Sequence, residues 1–260
     1  MNTKRLIVYF FLLFVFFSYC YTQNNNTKLE QLISEGDYFA EKTFENEKAL
    51  EKYLEAIKLS PKNYELYWRI SRCYVDIGEH LPANTQEEKN KQEAIYKKAY
   101  LYADSAVKVN SKGSMGYTRR AIANGRIALF KGIWDNVSLV KQTKSDLDKA
   151  IELDPTNATA YYVLGRTHSK VSEKSKIIRW PLGLGWANMD DAIKNYEKAI
   201  SLRPDFIMYR LDAARAYIEL GDYQRARQHL TAIETLPTQD EDDDRFRREA
   251  AELLISLKNK

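Results

Sequence analysis

The chain has 260 residues, of which 44% are hydrophobic and 29% are charged, and this balance is that of an ordinary globular protein. Its 10 glycines and 6 prolines are too few for a disordered or collagen-like chain. A formal net charge of only +4 gives no general electrostatic support for nucleic-acid binding. We therefore expect a folded protein with no nucleic-acid partner.

The first residues differ in character from the rest of the chain. Lys4 and Arg5 precede an unbroken apolar run over residues 6–17, which is shorter than the roughly 20 residues that a membrane-spanning helix needs. A basic start, an apolar middle and a short polar tail are typical of a secretory signal peptide. We therefore predict a signal peptide over residues 1–22.

A signal peptide predicts an exported protein, either periplasmic or secreted. Cleavage is expected after Cys20 or Thr22, which follow small residues at the recognition positions. The alternative is an uncleaved membrane anchor formed by residues 6–22. Residues 23–27 are then a short linker, and residues 28–260 form the folded domain.

Within the predicted domain, apolar side chains recur every three or four residues, which predicts amphipathic helices. No stretch alternates apolar and polar residues for long enough to predict a convincing strand. In chain order, the predicted helices cover about 46–59, 65–77, 86–109, 114–130, 138–153, 158–173, 189–202, 207–220 and 223–236, with a C-terminal capping helix over 240–258.

Several residues predict where these helices begin and end. Thr85 followed by Glu88, and Thr238 followed by Glu241, have the spacing of a capping box. Gly78 follows the second predicted helix, and we expect it to close that helix in a left-handed conformation. These signals support an all-α domain.

A short phrase recurs at the ends of several helices. It reads EAIKLSP at 55–61, KAIELDP at 149–155 and KAISLRP at 198–204, with a weaker copy, SAVKVN, at 105–110. Repetition every 20–50 residues or so is typical of stacked helix pairs rather than of one globular core. We predict an all-α fold, a right-handed superhelix of antiparallel helix pairs with insertions between the repeats.

The last unit resembles a tetratricopeptide repeat, in which small residues let two helices approach and aromatic rings fill the gap above them. The intervals between successive alanines of the recurring phrase exceed the standard repeat of about 34 residues, so each unit carries an insertion. The matching positions of the last unit are Ala213, Ala214, Tyr217, Gly221, Tyr223, Ala226 and Pro237.

The irregular spacing narrows the resemblance to one family. From about residue 64 to residue 254, the chain is similar to the regulator of microtubule dynamics family. The segments that carry the similarity are WRISR at 68–72, LDKAI at 147–151, LGRTH at 164–168 and the acidic helix after Leu236. This resemblance implies a non-catalytic helical-repeat protein, and a microtubule-associated role is implied by it alone. Periplasmic repeat proteins of solute transporters are a second, looser resemblance.

The chain shows no arrangement of residues typical of an active site. Its three histidines are far apart in the sequence, so no metal-ligand spacing exists, and no cysteine–histidine pair is predicted to act as nucleophile and base. Cys73 lies within a helical apolar pattern and is predicted to be buried. We therefore expect no catalytic residues, no cofactor, no metal and no enzymatic activity.

Three arginines are the main candidates for binding a partner. Arg72, Arg166 and Arg215 occupy one register in the first helices of three units, and in stacked helix pairs these helices line the concave face. A row of arginines there would bind an acidic peptide or a carboxylate. The alternative is that each arginine pairs with an internal acid. Trp68 and Tyr162, on the same helices, are included as candidate partner-binding residues.

The segment from Trp180 to Trp186 is an insertion with two tryptophans and two leucines. It is either a hydrophobic flap packed on neighbouring helices or an anchor for a partner or a membrane surface, since tryptophan is frequent in both kinds of contact.

Together these features predict an exported, non-catalytic scaffold that binds a protein or peptide in its concave groove. Membrane contact is expected only through an uncleaved N-terminal segment or the Trp180–Trp186 insertion. The alternative function is a small-molecule-binding accessory subunit of a periplasmic transporter, for which an enclosed pocket lined by aromatic residues would be the sign.

Overall fold

The computed structural model describes residues 26–258 and Lys260, and every regular element in this part of the chain is helical. The predicted signal peptide over 1–22 lies outside the described residues. None of the described helices combines the length and apolar character needed to cross a bilayer.

The first helix, α1, covers residues 26–38 and continues into a π-helical turn, Phe39–Thr43. The others are α2 Asn46–Leu59, α3 Tyr64–His80, α4 Gln86–Val109, α5 Ser114–Lys131, α6 Val137–Leu153, α7 Ala158–Ser172, α8 Lys176–Arg179, α9 Met189–Leu202, α10 Ile207–Glu219, α11 Tyr223–Ile233 and α12 Asp243–Ser256.

The helices form a tetratricopeptide-like solenoid, which confirms the predicted fold class. Each pair joins a first helix to a second one: α3 with α4, α5 with α6, α7 with α9, and α10 with α11. The first helices also contact one another, α3 with α5, α5 with α7, and α7 with α10. They therefore form a continuous inner wall, and α12 covers the last pair. The short α8 lies in the insertion between the two helices of the third pair.

Close approach within a pair depends on glycines that face tyrosine rings. In the pair α7 and α9, a Cβ added to Gly165 would stand 2.8 Å from the ring of Tyr196. In the pair α3 and α4, a Cβ on Gly78 would stand 2.5 Å from the ring of Tyr96. The prediction that Gly78 ends its helix is therefore wrong, because α3 continues to His80. Gly78 is required for close packing, not for a left-handed turn.

The two predicted capping boxes have different outcomes. Thr85 and Glu88 form a capping box at the start of α4, as predicted. Thr238 does not cap α12, which begins at Asp243 rather than at residue 240. Instead the buried Asp243 carboxylate accepts hydrogen bonds from the backbone N–H groups of Gln239, at 2.7 Å, and of the following residue.

Residues near the two ends of the solenoid meet in a contact that we call the latch, formed by Asn46, His80, Glu241 and Asp242. The Asn46 side-chain amide donates a 2.8 Å hydrogen bond to the Glu241 carboxylate, 195 positions along the chain. The His80 ring lies 3.4 Å from Glu241 and 3.6 Å from Asp242. The segment before α12 thus reaches back to α2 and to the end of α3.

Two groups of the latch, Glu241 and His80, have raised pKa values, so both make the stability of the protein fall as the pH rises. Burial, aided by the neighbouring carboxylates of Asp76, Asp240 and Asp242, raises the pKa of Glu241 to about 7, against a smaller opposing effect of His80. Burial acts against the charged form of His80, but the Asp76 carbonyl and the latch carboxylates outweigh it and raise the pKa of that imidazole. Both groups bind protons more tightly in the folded state than in the unfolded chain.

The glycine–tyrosine contact gives the first prediction. Gly165→Ala places a methyl group against the buried Tyr196 ring and should lower the free energy of unfolding by about 1–3 kcal/mol. Gly125→Ala is the matched control, because a Cβ at that helical position of α5 meets no atom within 4 Å. It should stabilise the protein by about 0.5–1 kcal/mol, since alanine is the better helix former. Urea unfolding of the three proteins measures both; equal effects would contradict this account of the helix pair.

The latch gives the second prediction. A raised folded-state pKa contributes stability that is present below the unfolded value and is lost as the pH rises through the folded value. For Glu241 this interval runs from 4.5 to about 7. Glu241→Gln should therefore remove part of the loss of stability across this interval, on the order of 1 kcal/mol after allowance for solvent screening.

Thermal unfolding of wild type and variant across that pH interval measures the effect. The control is Glu234→Gln, which alters an exposed carboxylate outside the latch. If the pH profiles of wild type and Glu241→Gln run parallel, the titration of Glu241 does not contribute to the pH dependence of stability.

Candidate functional site

A cavity of about 910 Å³, which we call the groove, lies along the inner wall of the solenoid. It is bounded by the first helices α3, α5, α7 and α10 and by the segment 237–242 with the start of α12. Its volume is within the range of about 300–1,000 Å³ found for ligand sites. Its basic and acidic residues are nearly equal in number, so the groove as a whole attracts anions only weakly. The basic residues are Lys42, Arg72, Arg119, Arg126, Arg166, Lys170, Arg203, Arg215 and Arg245, and the acidic ones are Glu41, Asp76, Glu79, Asp212, Glu219, Asp240, Glu241 and Asp242.

The three arginines predicted to share one register all line the groove. Arg72 hydrogen-bonds to Glu41 at 3.2 Å and lies 3.4 Å from Asp76. Arg215 pairs with two carboxylates, those of Asp212 and Glu249. The head group of Arg166 is held more loosely, since its Nε lies 3.5 Å from the Asp212 carboxylate. Arg72 and Arg215 are therefore paired internally, whereas Arg166 retains most of its donors.

Asp212 on α10 organises this part of the wall. Its buried carboxylate accepts a 2.7 Å hydrogen bond from the Tyr162 hydroxyl and faces both Arg166 and Arg215. Burial raises the pKa of Tyr162 well above its ordinary value, so this hydroxyl remains a donor at neutral pH. The Tyr162 ring stacks on Tyr209 at 4.5 Å between centroids. Tyr162 lines the groove and holds the carboxylate that positions two arginines.

Arg119 on α5 is the groove residue that the sequence analysis missed. Its Nε is buried and has no hydrogen-bond partner among the described residues. Burial, and then the nearby charge of Arg72, lower the pKa of Arg119 to about 10. The next residue, Arg120, shows the contrast, because it donates to Asp104 at 2.7 Å and to Asp146 at 2.8 Å. Arg119 thus faces the cavity with its Nε unpaired and with the Asp76 carboxylate acting on it only as a weaker, longer-range charge.

The register of α5 explains why repeat alignment did not find Arg119. Arg72 and Arg166 each lie nine positions after the N-cap residue of their helix. Arg119 lies only six positions after Gly113, the N-cap of α5, and Ile122 occupies the ninth position. Three residues are close to one helical turn, so Arg119 projects from the same face one turn earlier. A search for arginine on this face, not at one register, would have identified it.

The predicted tryptophans lie outside the groove lining. Trp68 lies next to a lining residue: its ring centroid is 5.9 Å from the guanidinium carbon of Arg119 and 4.4 Å from that of Arg69. Trp180 and Trp186 lie in the insertion between α7 and α9. Trp186 packs edge-on against His168 at 4.9 Å, while Trp180 is exposed. Five of the seven predicted residues therefore lie in or beside the groove, and the other two, Trp180 and Trp186, lie in the insertion.

No described group of three or more histidine, cysteine or acidic side chains is arranged to hold a metal ion. Cys73 is buried, as expected, and burial raises the pKa of its thiol to about 12, which leaves it a poor nucleophile at neutral pH. Burial also raises the pKa values of Glu79 and Asp240 at the latch end of the groove. The groove therefore has cationic side chains along the inner wall and acids with raised pKa values at the latch end.

Curated relatives are proteins of animals. The chain is 27% identical to regulator of microtubule dynamics protein 3 of Rattus norvegicus over 202 residues, which cover 74% of this chain and 41% of that protein. It is 28% identical to regulator of microtubule dynamics protein 1 of Mus musculus over 236 residues, covering 88% of this chain and 75% of that protein. The chain thus spans about two fifths of the length of the rat relative.

These relatives overturn the predicted localisation. The N-terminal pattern predicts an exported, periplasmic or secreted protein, with an anchor over residues 6–22 as the alternative. That prediction is wrong, because the relatives are eukaryotic regulators of microtubule dynamics and are not exported. A run of apolar residues behind two basic ones is a short and common pattern, and similarity over most of the chain outweighs it.

Solved structures share the fold. A thermophilic TPR protein of Thermus thermophilus superposes with a TM-score of 0.65 at 18% sequence identity, covering 87% of this chain and 99% of that one. PilF of Pseudomonas aeruginosa gives a TM-score of 0.54 at 13% identity, with 90% of each chain covered. The sequence profile described as "Regulator of microtubule dynamics protein 1-3" matches residues 32–258. This chain belongs to the regulator of microtubule dynamics family.

Proposed function

We propose that this protein is a non-catalytic scaffold whose groove binds an acidic segment of a protein partner. The helical-repeat fold and the family indicate a protein-interaction scaffold without enzymatic activity. The acidic nature of the partner is our inference from the groove. The single observation that carries it is Arg119, whose buried Nε has no partner.

A guanidinium in this position is costly to the folded protein. Removing a charge from water without a counter-charge costs several kcal/mol, and buried charges are normally paired. The lowered pKa of Arg119 expresses this cost, because the surroundings disfavour its charged form. Arg120 shows that the same helix supplies full pairing where an arginine serves structure. We therefore interpret the Arg119 guanidinium as a binding group whose missing hydrogen bonds an anionic ligand would supply.

The neighbours of Arg119 indicate which ligand would fit. Arg72 is close enough to lower its pKa, so a carboxylate placed between the two guanidinium groups would relieve their repulsion and accept bidentate hydrogen bonds. Arg166, loosely held farther along the wall, supplies a second cationic position. Cationic positions on successive helices suit an extended chain with more than one acidic side chain.

A small anionic molecule is the second candidate ligand. It is favoured by the aromatic lining of the groove, which includes Tyr162, Tyr196, Phe206 and Tyr209, and by the latch, which limits access from one side. This alternative keeps the binding chemistry of Arg119 and changes only the size of the ligand.

A role in microtubule dynamics is suggested by the names of the relatives, and sedimentation with assembled microtubules tests it.

The third prediction tests the acidic partner through Arg119. A fluorescent peptide rich in glutamate should bind the wild type with an affinity that falls as salt rises, and its glutamine counterpart should bind far less. Arg119→Met should weaken glutamate-peptide binding by about tenfold or more, the equivalent of about 1.4 kcal/mol. The same change should raise the free energy of unfolding by on the order of 1 kcal/mol, because it removes a partly buried guanidinium whose Nε lacks a hydrogen-bond partner.

The control is Arg225→Met, which removes an exposed arginine outside the groove that pairs with Asp222. It should leave both peptide binding and stability nearly unchanged, because exposed ion pairs contribute little. A loss of stability in Arg119→Met with unchanged peptide binding would assign Arg119 to structure and overturn the proposal. Competition by free glutarate that equals competition by the peptide would favour the small-molecule ligand.

A further inference from the structure

The insertion between α7 and α9 carries a compact group of exposed apolar side chains, which we call the apolar tip. Ile177 is 86% exposed, Ile178 is 56% exposed and Trp180 is 72% exposed. Leu182, two residues further, is also exposed. Single exposed apolar residues are common, but several large ones within six positions form a patch that usually marks an interaction site.

The tip is held in place from beneath. The buried Arg179 donates hydrogen bonds to the backbone carbonyls of Lys174, at 2.8 Å, and Leu184, at 3.2 Å, and also to that of Ala187. Leu184 and Trp186 pack into an apolar cluster with residues from the end of α5 and the start of α6. The exposed side chains are therefore presented by a fixed support, so their exposure does not result from the lack of a nearby core.

The charged side chains within the insertion, residues 174–189, are all basic. The sequence contains no acidic residue between Glu173 and Asp190. Lys174 and Lys176 precede the exposed isoleucines, and the ammonium group of Lys141 approaches the backbone at Gly183. An apolar centre with a basic border complements a surface that is apolar inside and anionic outside.

We propose that the apolar tip is a membrane-contact site that inserts into the interface of an anionic lipid bilayer. Ile177 and Trp180 are three positions apart, so they project from one side of the helical turn. Aliphatic side chains enter the acyl boundary, the tryptophan ring occupies the headgroup level, and lysines contact anionic headgroups. This site is separate from the groove, and the groove proposal does not depend on it.

A lipid surface fits the tip better than a protein partner does. Protein interfaces bury their apolar centre in a complementary pocket with directional hydrogen bonds around it, whereas the border here offers flexible lysines. Lysine is depleted at protein interfaces and is favoured beside anionic lipid. A second copy of the chain carries the same basic border, so two tips placed together would repel each other.

The test follows Trp180 itself in the full chain. Vesicles of phosphatidylcholine and phosphatidylserine with brominated acyl chains quench tryptophan that reaches the membrane. The fluorescence attributable to Trp180, taken as the difference between wild type and Trp180→Phe, should be quenched by these vesicles and much less by vesicles of phosphatidylcholine alone. If this difference signal is unchanged by brominated lipid, the proposal is wrong, even where another part of the chain binds the vesicles.

A matched pair of variants measures the contribution of the tip to binding. Ile177→Asp should lower the vesicle partition coefficient by about tenfold or more, since a buried large apolar side chain contributes at least that factor. Ile255→Asp changes an isoleucine that is 63% exposed on α12, away from the tip, and should leave the partition coefficient unchanged. Equal effects of the two substitutions would overturn the proposal. A dimer that Ile177→Asp dissociates, with Trp180 unquenched, would assign the tip to a second copy instead.

Discussion

The approach of two helices across a small residue is the constraint on which the rest of this structure depends. At Gly165 and Gly78 the helix backbone lies so close to a tyrosine ring that no side chain fits between them. Tyr196 and Tyr96 fill that space and are themselves buried. Because interiors are close-packed, these contacts fix the distance and rotation of the helices in the pairs α3–α4 and α7–α9. The inner wall of first helices, and hence the groove, depends on this close packing.

Packing on one side of each first helix leaves the opposite side for charge. The wall faces water only through the groove, so its arginines and acids are partly desolvated and must find partners within reach. Asp212 meets this need for Arg215 and, at longer range, for Arg166. Arg119 has no carboxylate at ion-pair distance among the described residues, only the longer-range charge of Asp76, and the latch end has an excess of acids with Glu241 among them. The groove is therefore nearly neutral as a whole, but its positive and negative charges are unevenly distributed.

Features that depend on local sequence could be predicted, while those that depend on distant residues could not. The recurring alanine phrase and the apolar spacing predicted the helices to within a few residues, since both reflect the helix itself. Gly78 has the local sequence signal of a helix end, and Thr238 has that of a helix start. Contacts with Tyr96 and with the buried Asp243 instead determine the structure at these two positions. The arginine row was visible as a register, but Arg119 was not, because it lies about one turn nearer the start of its helix than the other arginines do.

Arg119 and Arg120 differ in their internal pairing although they are adjacent on one helix. Successive residues on a helix point about 100° apart, so two adjacent arginines on α5 enter different surroundings. Arg120 turns toward Asp104 and Asp146 and ties α5 to its neighbours α4 and α6. Arg119 turns toward the groove and rests beside Trp68, whose ring stabilises a cation without neutralising it. The Trp68 ring helps to position the guanidinium while its Nε stays without a hydrogen-bond partner, as the proposed binding of an anion requires.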